Sequence, residues 1–409
     1  MSRSPLTLAA AAAAALGDVA VVRAAPLGSD GSVGRVDAAL IETDTGRLLV
    51  VRVGADPDAD RDVRAQARVL DALTDGVRAL LPFTAPRVHG RAALADATVV
   101  VTDFLPGYAV AAGDVPPGPG IAPEIGRALA AVHEVPVSFL REAGLPVRAA
   151  EGVRADVARV VERAEASGLV PADLIARWRD AVGDDAAWRF EATLVIGDVE
   201  ADAFRFQDES GVPRLTGLLG WGSLAAGDPA ADLRWTARAP AAADDIIAAY
   251  ERAARRAPDP FLVSRARLHA ELDFATWLLH GLDRDDESVV ADAVTSLALL
   301  AESAEPHAPL LSSTDDDVPA ALAAAGRVPA SGQAAADVSM RTDTYDPAAF
   351  ASHLVDTDER ADTADGAIPT LPVDLSEWTV SIPADAEGDL DGETTRASQA
   401  ALRRWADGR

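Results

Sequence analysis

The chain has 409 residues, enough for two lobes or two domains with a substantial core. It contains no cysteine, which excludes disulfides and thiolate metal sites, and all 37 basic residues are arginine, so no lysine is present to act as a general base or Schiff-base amine. A formal charge of −28 argues against nucleic-acid binding, whose affinity comes from neutralising phosphates, and against anionic membranes.

The first element lies at the N-terminus, where "LTLAAAAAAALG" follows one arginine in the manner of a weak secretory leader. Ser4 as N-cap and Pro5 in the first turn instead predict an ordinary short helix, because proline has no amide hydrogen to lose there. No apolar stretch reaches the ~18 residues of a membrane span, and the cytoplasm is the expected location. Residues 20 to 110 alternate apolar and polar positions between turn signals. "DAALIE" and "RLLVVRV" are joined by the turn Thr43 to Gly46 as a hairpin. "DRDVRAQARVLDALTDGV" follows with Val63, Ala67, Leu70 and Leu73 spaced for one buried helical face, and "ATVVVTDFLPG" is a further strand. This order predicts a small α+β lobe over residues 1–107.

Residues 108–304 read as a mainly helical lobe. "IAPEIGRALAAVHEV" sets Ile121, Ile125, Leu129 and Val132 on one side, and "DDIIAAYERAARRA" and "LHAELDFATWLLHGL" share the period. His133 reads as a helix residue packed on the core. One β-rich island interrupts the helices from Ala192 to Trp221, with a hairpin turn at Asp208 to Gly211. A helical lobe carrying a short hairpin and facing a β-rich lobe is suited to clasping a ligand in the crevice between them. Residues 305–409 lose periodicity and are rich in Ala, Gly, Pro, Ser and Asp, which predicts a disordered acidic tail. From Glu302 to Arg409, 21 acidic residues face 7 arginines, so half of the net charge sits in the last quarter of the chain. The apolar islands "IPTLPVDLSEWTVSIP" and "TTRASQAALRRWADGR" within it are candidate docking motifs.

The segment from Val195 to Leu233 resembles the aminoglycoside and macrolide phosphotransferases, small-molecule kinases with a protein-kinase-like fold. That family's pattern has a His-Gly-Asp triplet, an asparagine five residues after that aspartate, a strand ending in Ile-Asp-Trp or Ile-Asp-Phe, and a Gly-Asp-Pro-x-x-Asp-Leu segment. Here the triplet is Ile196-Gly197-Asp198, the asparagine position is Ala203, and the strand ends Leu219-Gly220-Trp221. The closing segment, Gly227 to Leu233, is intact. The resemblance implies a two-lobed kinase-like fold, Asp198 as the base for an acceptor hydroxyl, and ATP or GTP as phosphate donor. It also implies Mg²⁺ held by an aspartate and an asparagine, and neither Ala203 nor Gly220 offers a side-chain oxygen. The strand lysine that meets the phosphates corresponds to Arg52, its helix glutamate to Gln66, and the hinge that meets the base to Asp103. "GSDGSVG", Gly28 to Gly34, stands where a phosphate-covering loop is expected. Asp228 and Asp232 read as structural, binding backbone near a helix start, while "DVEAD" offers Asp198, Glu200 and Asp202 as a relocated carboxylate set for a metal.

Three functions are consistent with this pattern. One is a pseudokinase that binds a small molecule or protein partner without efficient phosphoryl transfer. Another is a working kinase of a hydroxylated compound such as a macrolide or aminoglycoside. The third is an interaction protein whose tail does the binding.

Overall fold

In the computed structural model, residues 3–27, 35–256, 259–303 and 310 are described. The predicted phosphate-covering turn, Gly28 to Gly34, and nearly all of the predicted disordered tail lie outside the described residues.

Helix α1 (Pro5–Leu16) opens as its cap predicts, with the Ser4 hydroxyl accepting the Thr7 amide. It is followed by β1 (Val21–Pro26), β2 (Val36–Thr43), β3 (Leu48–Gly54), α2 (Pro57–Ala72), the single turn α3 (Asp75–Arg78), β4 (Val88–Leu94) and β5 (Ala97–Asp103). The strands form one antiparallel sheet in the order β1-β2-β3-β5-β4. Successive side chains on a strand point to opposite faces, and both faces here are covered. Leu8 and Ala12 of α1 pack on Ala39, Ile41, Leu49, Val51, Val53, Val99 and Val101. On the other face Ala59, Val63 and Ala67 of α2 pack on Val36 and Val100. Val50 and Arg52 share that second face, and Val50 meets Leu105 and Leu219 from beyond the sheet.

The second region is built from α4 (Ile121–His133), the short α5 (Ser138–Glu142), α6 (Ala150–Ala166), α7 (Ala172–Gly183), α8 (Ala243–Ala253), α9 (Leu262–Asp283) and α10 (Glu287–Ser303). Ile121, Ile125, Leu129 and Val132 of α4 are all buried, as their spacing predicts. Between α7 and α8 lie the strands β6 (Thr193–Val195), β7 (Phe204–Glu209), β8 (Val212–Leu218) and β9 (Ala225–Gly227), with a 3₁₀ helix over Pro229–Arg238. β7 and β8 are an antiparallel hairpin closed by Ser210 and Gly211, both at positive φ, the turn geometry that follows the strand twist.

Backbone bonds join the two regions. The Thr84 amide donates to the Thr216 carbonyl at 2.9 Å, the Leu218 amide to the Thr84 carbonyl at 3.0 Å, and Tyr108 and Phe206 exchange amide-to-carbonyl bonds of 2.9 Å. The hairpin is thus stitched to the crossing segments, and the loops that precede β7 and follow β8 are set at the junction. Among the described residues, no helix is long and apolar enough to cross a membrane.

Candidate functional site

The site lies on the loop between β6 and β7 and on the turn after β8. β6 pairs antiparallel with β9, Leu194 opposite Ala226, so that the end of β6 and the Gly227 to Leu233 segment emerge side by side. Asp228 caps the 3₁₀ helix by accepting the Ala230 amide at 3.0 Å. Its two oxygens also receive the Arg265 guanidinium at 2.8 and 2.9 Å, and His269 Nε2 lies 3.1 Å away. Burial alone would raise this carboxyl, but the His269 hydrogen bond and the Arg265 charge outweigh it and hold the group far below the usual carboxylate range. One turn on, Asp232 is fully buried and accepts the amides of Ile196 at 2.8 Å and Gly197 at 2.7 Å. His133 Nε2 lies 3.1 Å from the same carboxylate, and its Nδ1 is 2.9 Å from the Tyr250 hydroxyl. Burial and the negative Asp232 push the Tyr250 phenol above its ordinary value. Both aspartates are structural, as their place in the sequence suggests, and Asp232 acts directly on the shape of the Ile196-Gly197-Asp198 loop. Gly197 is required there: its φ is +85°, and a Cβ would lie 2.7 Å from the Ser223 carbonyl.

That loop delivers Asp198 to the surface, where its side chain is 48% exposed. Asp198 Oδ1 receives Arg234 Nη2 at 2.5 Å. Arg234, from the 3₁₀ helix, is 9% exposed; its Nε donates to Asp273 of α9 at 3.0 Å, and its Nη1 to the carbonyls of Gly197 at 2.6 Å and Ala231 at 3.0 Å. Burial disfavours this cation, but Asp273, Asp198 and Glu200 outweigh that and raise its pKa above arginine's ordinary value. Asp273 keeps 54% of its side-chain surface open.

The two positions that the resemblance assigns to metal ligands come together in space. The Leu219 amide donates to the Ala203 carbonyl at 3.0 Å, and a Cβ built on Gly220 would lie 3.8 Å from the Ala203 Cβ. The geometry of a ligand pair is kept and its oxygens are missing, so the residues present do not fit Mg²⁺, which takes oxygen donors and usually one or two carboxylates. The relocated set of Asp198, Glu200 and Asp202 does not form. Asp198 turns to Arg234, and the partly covered Glu200 pairs with the Arg238 guanidinium. Among the described residues, no group of three His, Asp or Glu side chains converges to hold a metal.

Arg52 is buried on the inner face of β3 and donates to the Thr102 hydroxyl at 3.1 Å. Gln66 is on α2, the helix that covers this face. Asp103 ends β5 at the junction, but its side chain turns to β4: Oδ2 accepts the Arg87 amide at 2.8 Å, and Oδ1 lies 2.6 Å from His89 Nε2. Its own amide donates to the Arg87 carbonyl at 3.0 Å, so both groups are engaged within the sheet. The sequence pattern does not single out Arg234 or Asp273. An arginine directly after the Asp232-Leu233 pair is the only local sign of the first, and its partner lies 39 residues away on a helix whose pattern marks only its buried face.

The sequence profile described as the phosphotransferase enzyme family matches residues 34–268. A search of the curated proteins finds no match. Among solved structures, a type I macrolide 2′-phosphotransferase aligns with a TM-score of 0.57 at 24% identity, over 73% of this chain and 98% of that one. The apoenzyme of macrolide 2′-phosphotransferase MphH from Brachybacterium faecium aligns at 0.55 and 21% identity, over 67% and 91%. The GDP complex of aminoglycoside 2′-phosphotransferase-IIIa aligns at 0.59 and 17% identity, over 72% and 98%. At these identities the likeness shows the fold, a β-sheet lobe and a helical lobe arranged as in kinase-like phosphotransferases.

Proposed function

The chain belongs to the phosphotransferase enzyme family, and on that premise we propose that it is a pseudokinase: it binds a ligand or partner in its cleft without efficient phosphoryl transfer. Phosphoryl transfer asks the protein for little covalent chemistry and for accurate positioning and charge stabilisation. The observation that carries the reading is the Ala203 and Gly220 pair, adjacent and without a single side-chain oxygen between them. The Arg234 guanidinium on Asp198 supports it, because it occupies one oxygen of the carboxylate that would receive the acceptor proton. Binding of ATP or GTP is supported by the GDP complex of a protein of the same fold. The reading is tested by titrating the protein with a fluorescent ATP or GTP analogue with and without Mg²⁺, alongside transfer assays on macrolides and aminoglycosides. The expected result is no transfer above background and no gain in nucleotide affinity from Mg²⁺.

A working kinase of a small hydroxylated compound is the second reading. What favours it is the half-exposed Asp198 on a loop still held in shape by Asp232. Steady product formation that disappears in Asp198→Ala would establish it and displace the first.

A further inference from the structure

The outer side of α2 carries Arg61, Arg64 and Arg68, three and four residues apart, and so on one face of the helix. Arg91 of β4 faces them, and together with Pro57, Thr98 and Val100 they line a groove of about 490 Å³. This clustering stands out in a chain with 65 acidic and 37 basic residues. Arg61 pairs with Asp58 at 2.8 Å, Arg64 pairs with Asp60, and Arg91 with Asp71. Among the described residues, no carboxylate pairs with the exposed Arg68. The Arg61 and Arg91 pairs are solvent-exposed on both sides, the kind of ion pair that contributes little and exchanges readily. Each guanidinium also has five N–H donors, more than one carboxylate can use.

We infer that this groove binds an acidic segment of the same chain, Asp385–Glu393. In that segment Asp385, Glu387, Asp389, Asp391 and Glu393 alternate with uncharged residues and no arginine intervenes. Drawn out along the groove, alternate carboxylates repeat at about 6.6 Å on one side, against guanidinium stems spaced about 4.5 and 6 Å along α2. Selection comes from charge. The chain before Glu302 carries the other −14 of the net charge, so most of its surface repels such a segment. Reach is sufficient: Leu310 is buried in the helical core, 75 residues before Asp385, and the r.m.s. span of an unstructured peptide of that length is about 48 Å. A body of about 300 residues has a radius of gyration near 19 Å. Tethering makes the encounter intramolecular, at an effective concentration in the millimolar range. The bound segment lies on the outside of α2, whose other side packs on Val36 and Val100 of the sheet and against the turn Trp221–Ser223 that follows Gly220.

The chain has no cysteine, so two introduced ones carry a donor and acceptor dye without background: Asp96→Cys in the β4–β5 turn and Ser376→Cys close to the acidic segment. In the full chain, energy transfer should be high at about 20 mM salt and fall by at least half at about 500 mM, where the charges are screened. It should fall equally in Arg61→Glu/Arg68→Glu and remain unchanged in Arg159→Glu, a reversal on the exposed side of α6. Asp389→Asn/Asp391→Asn/Glu393→Gln should reproduce the loss with the folded body untouched, which keeps the test decisive if the arginine variant does not fold. Equal transfer in the parent and the segment variant would overturn the inference. So would transfer appearing only in mixtures of singly labelled chains, which would mean docking on a second copy.

Discussion

The sharpest prediction concerns Asp232, the residue that shapes the loop carrying Asp198. In Asp232→Ala, the amides of Ile196 and Gly197 and the Nε2–H of His133 lose a fully buried acceptor. A buried donor left without a partner costs about 1–3 kcal/mol. Three such losses, partly relieved by loop relaxation or an entering water, give a destabilisation of about 3–6 kcal/mol, a large share of the ~5–15 kcal/mol of a typical domain. Asp232→Asn keeps one oxygen acceptor but brings an NH₂ towards a ring of donors, and falls between parent and alanine. Urea denaturation of the full chain, followed by tryptophan fluorescence, reads the change as a shift of midpoint at constant slope. Hydrogen exchange supplies the local check: the Ile196 and Gly197 amides should exchange faster in both variants at matched global stability. An alanine variant that loses less than about 1 kcal/mol, with those amides still protected, would refute the reasoning.

Three further outcomes are expected. Ala203→Asn/Gly220→Asp restores the oxygens of the ligand pair and should create Mg²⁺-dependent nucleotide binding, visible as a thermal shift requiring both ligands. The left-handed φ of +79° at Gly220 costs the aspartate about 1–2 kcal/mol, so a folded double variant with no such shift would mean that the cleft is closed for another reason. Arg52→Met should weaken nucleotide binding by about 1.5–3 kcal/mol, the range of a hydrogen bond to a charged group; unchanged affinity in a titration would place the phosphates elsewhere. Asp228 titrates well below its unfolded value near 3.9. Its contribution is therefore complete at neutral pH and is lost as pH falls below about 4. The difference between the denaturation midpoints of the parent and Asp228→Asn should shrink as pH falls below 4, and a difference unchanged from pH 5 down to pH 3 would contradict the assignment.

Much of the fold was legible in the sequence because it rests on local rules. The apolar segments Asp37 to Glu42 and Arg47 to Val53 on either side of the Thr43 to Gly46 turn specified the hairpin, the spacing of Val63, Ala67 and Leu70 specified the buried face of α2, and Ser4 with Pro5 marked the start of α1. The frame of the site was legible too, through Gly197, Asp198 and the Gly227 to Leu233 segment, since turns and caps demand particular residues at particular positions.

What occupies that frame depended on contacts between residues far apart in the chain. The alternating acids Asp198, Glu200 and Asp202 read as a carboxylate cluster, yet the fold sends Asp198 to Arg234 and Glu200 to Arg238, at separations of 36 and 38 residues. Asp103 reads as a hinge residue from the sequence, while the antiparallel pairing of β4 with β5 is what turns its side chain to His89 and Arg87. Long-range charge pairing carries no sequence period, because a surface arginine and a site arginine have the same neighbours along the chain and differ only in what the packed lobes bring across to them. Composition therefore determined that the metal-ligand oxygens are missing at Ala203 and Gly220, while only the tertiary structure set those two positions side by side and closed a guanidinium over the aspartate beside them.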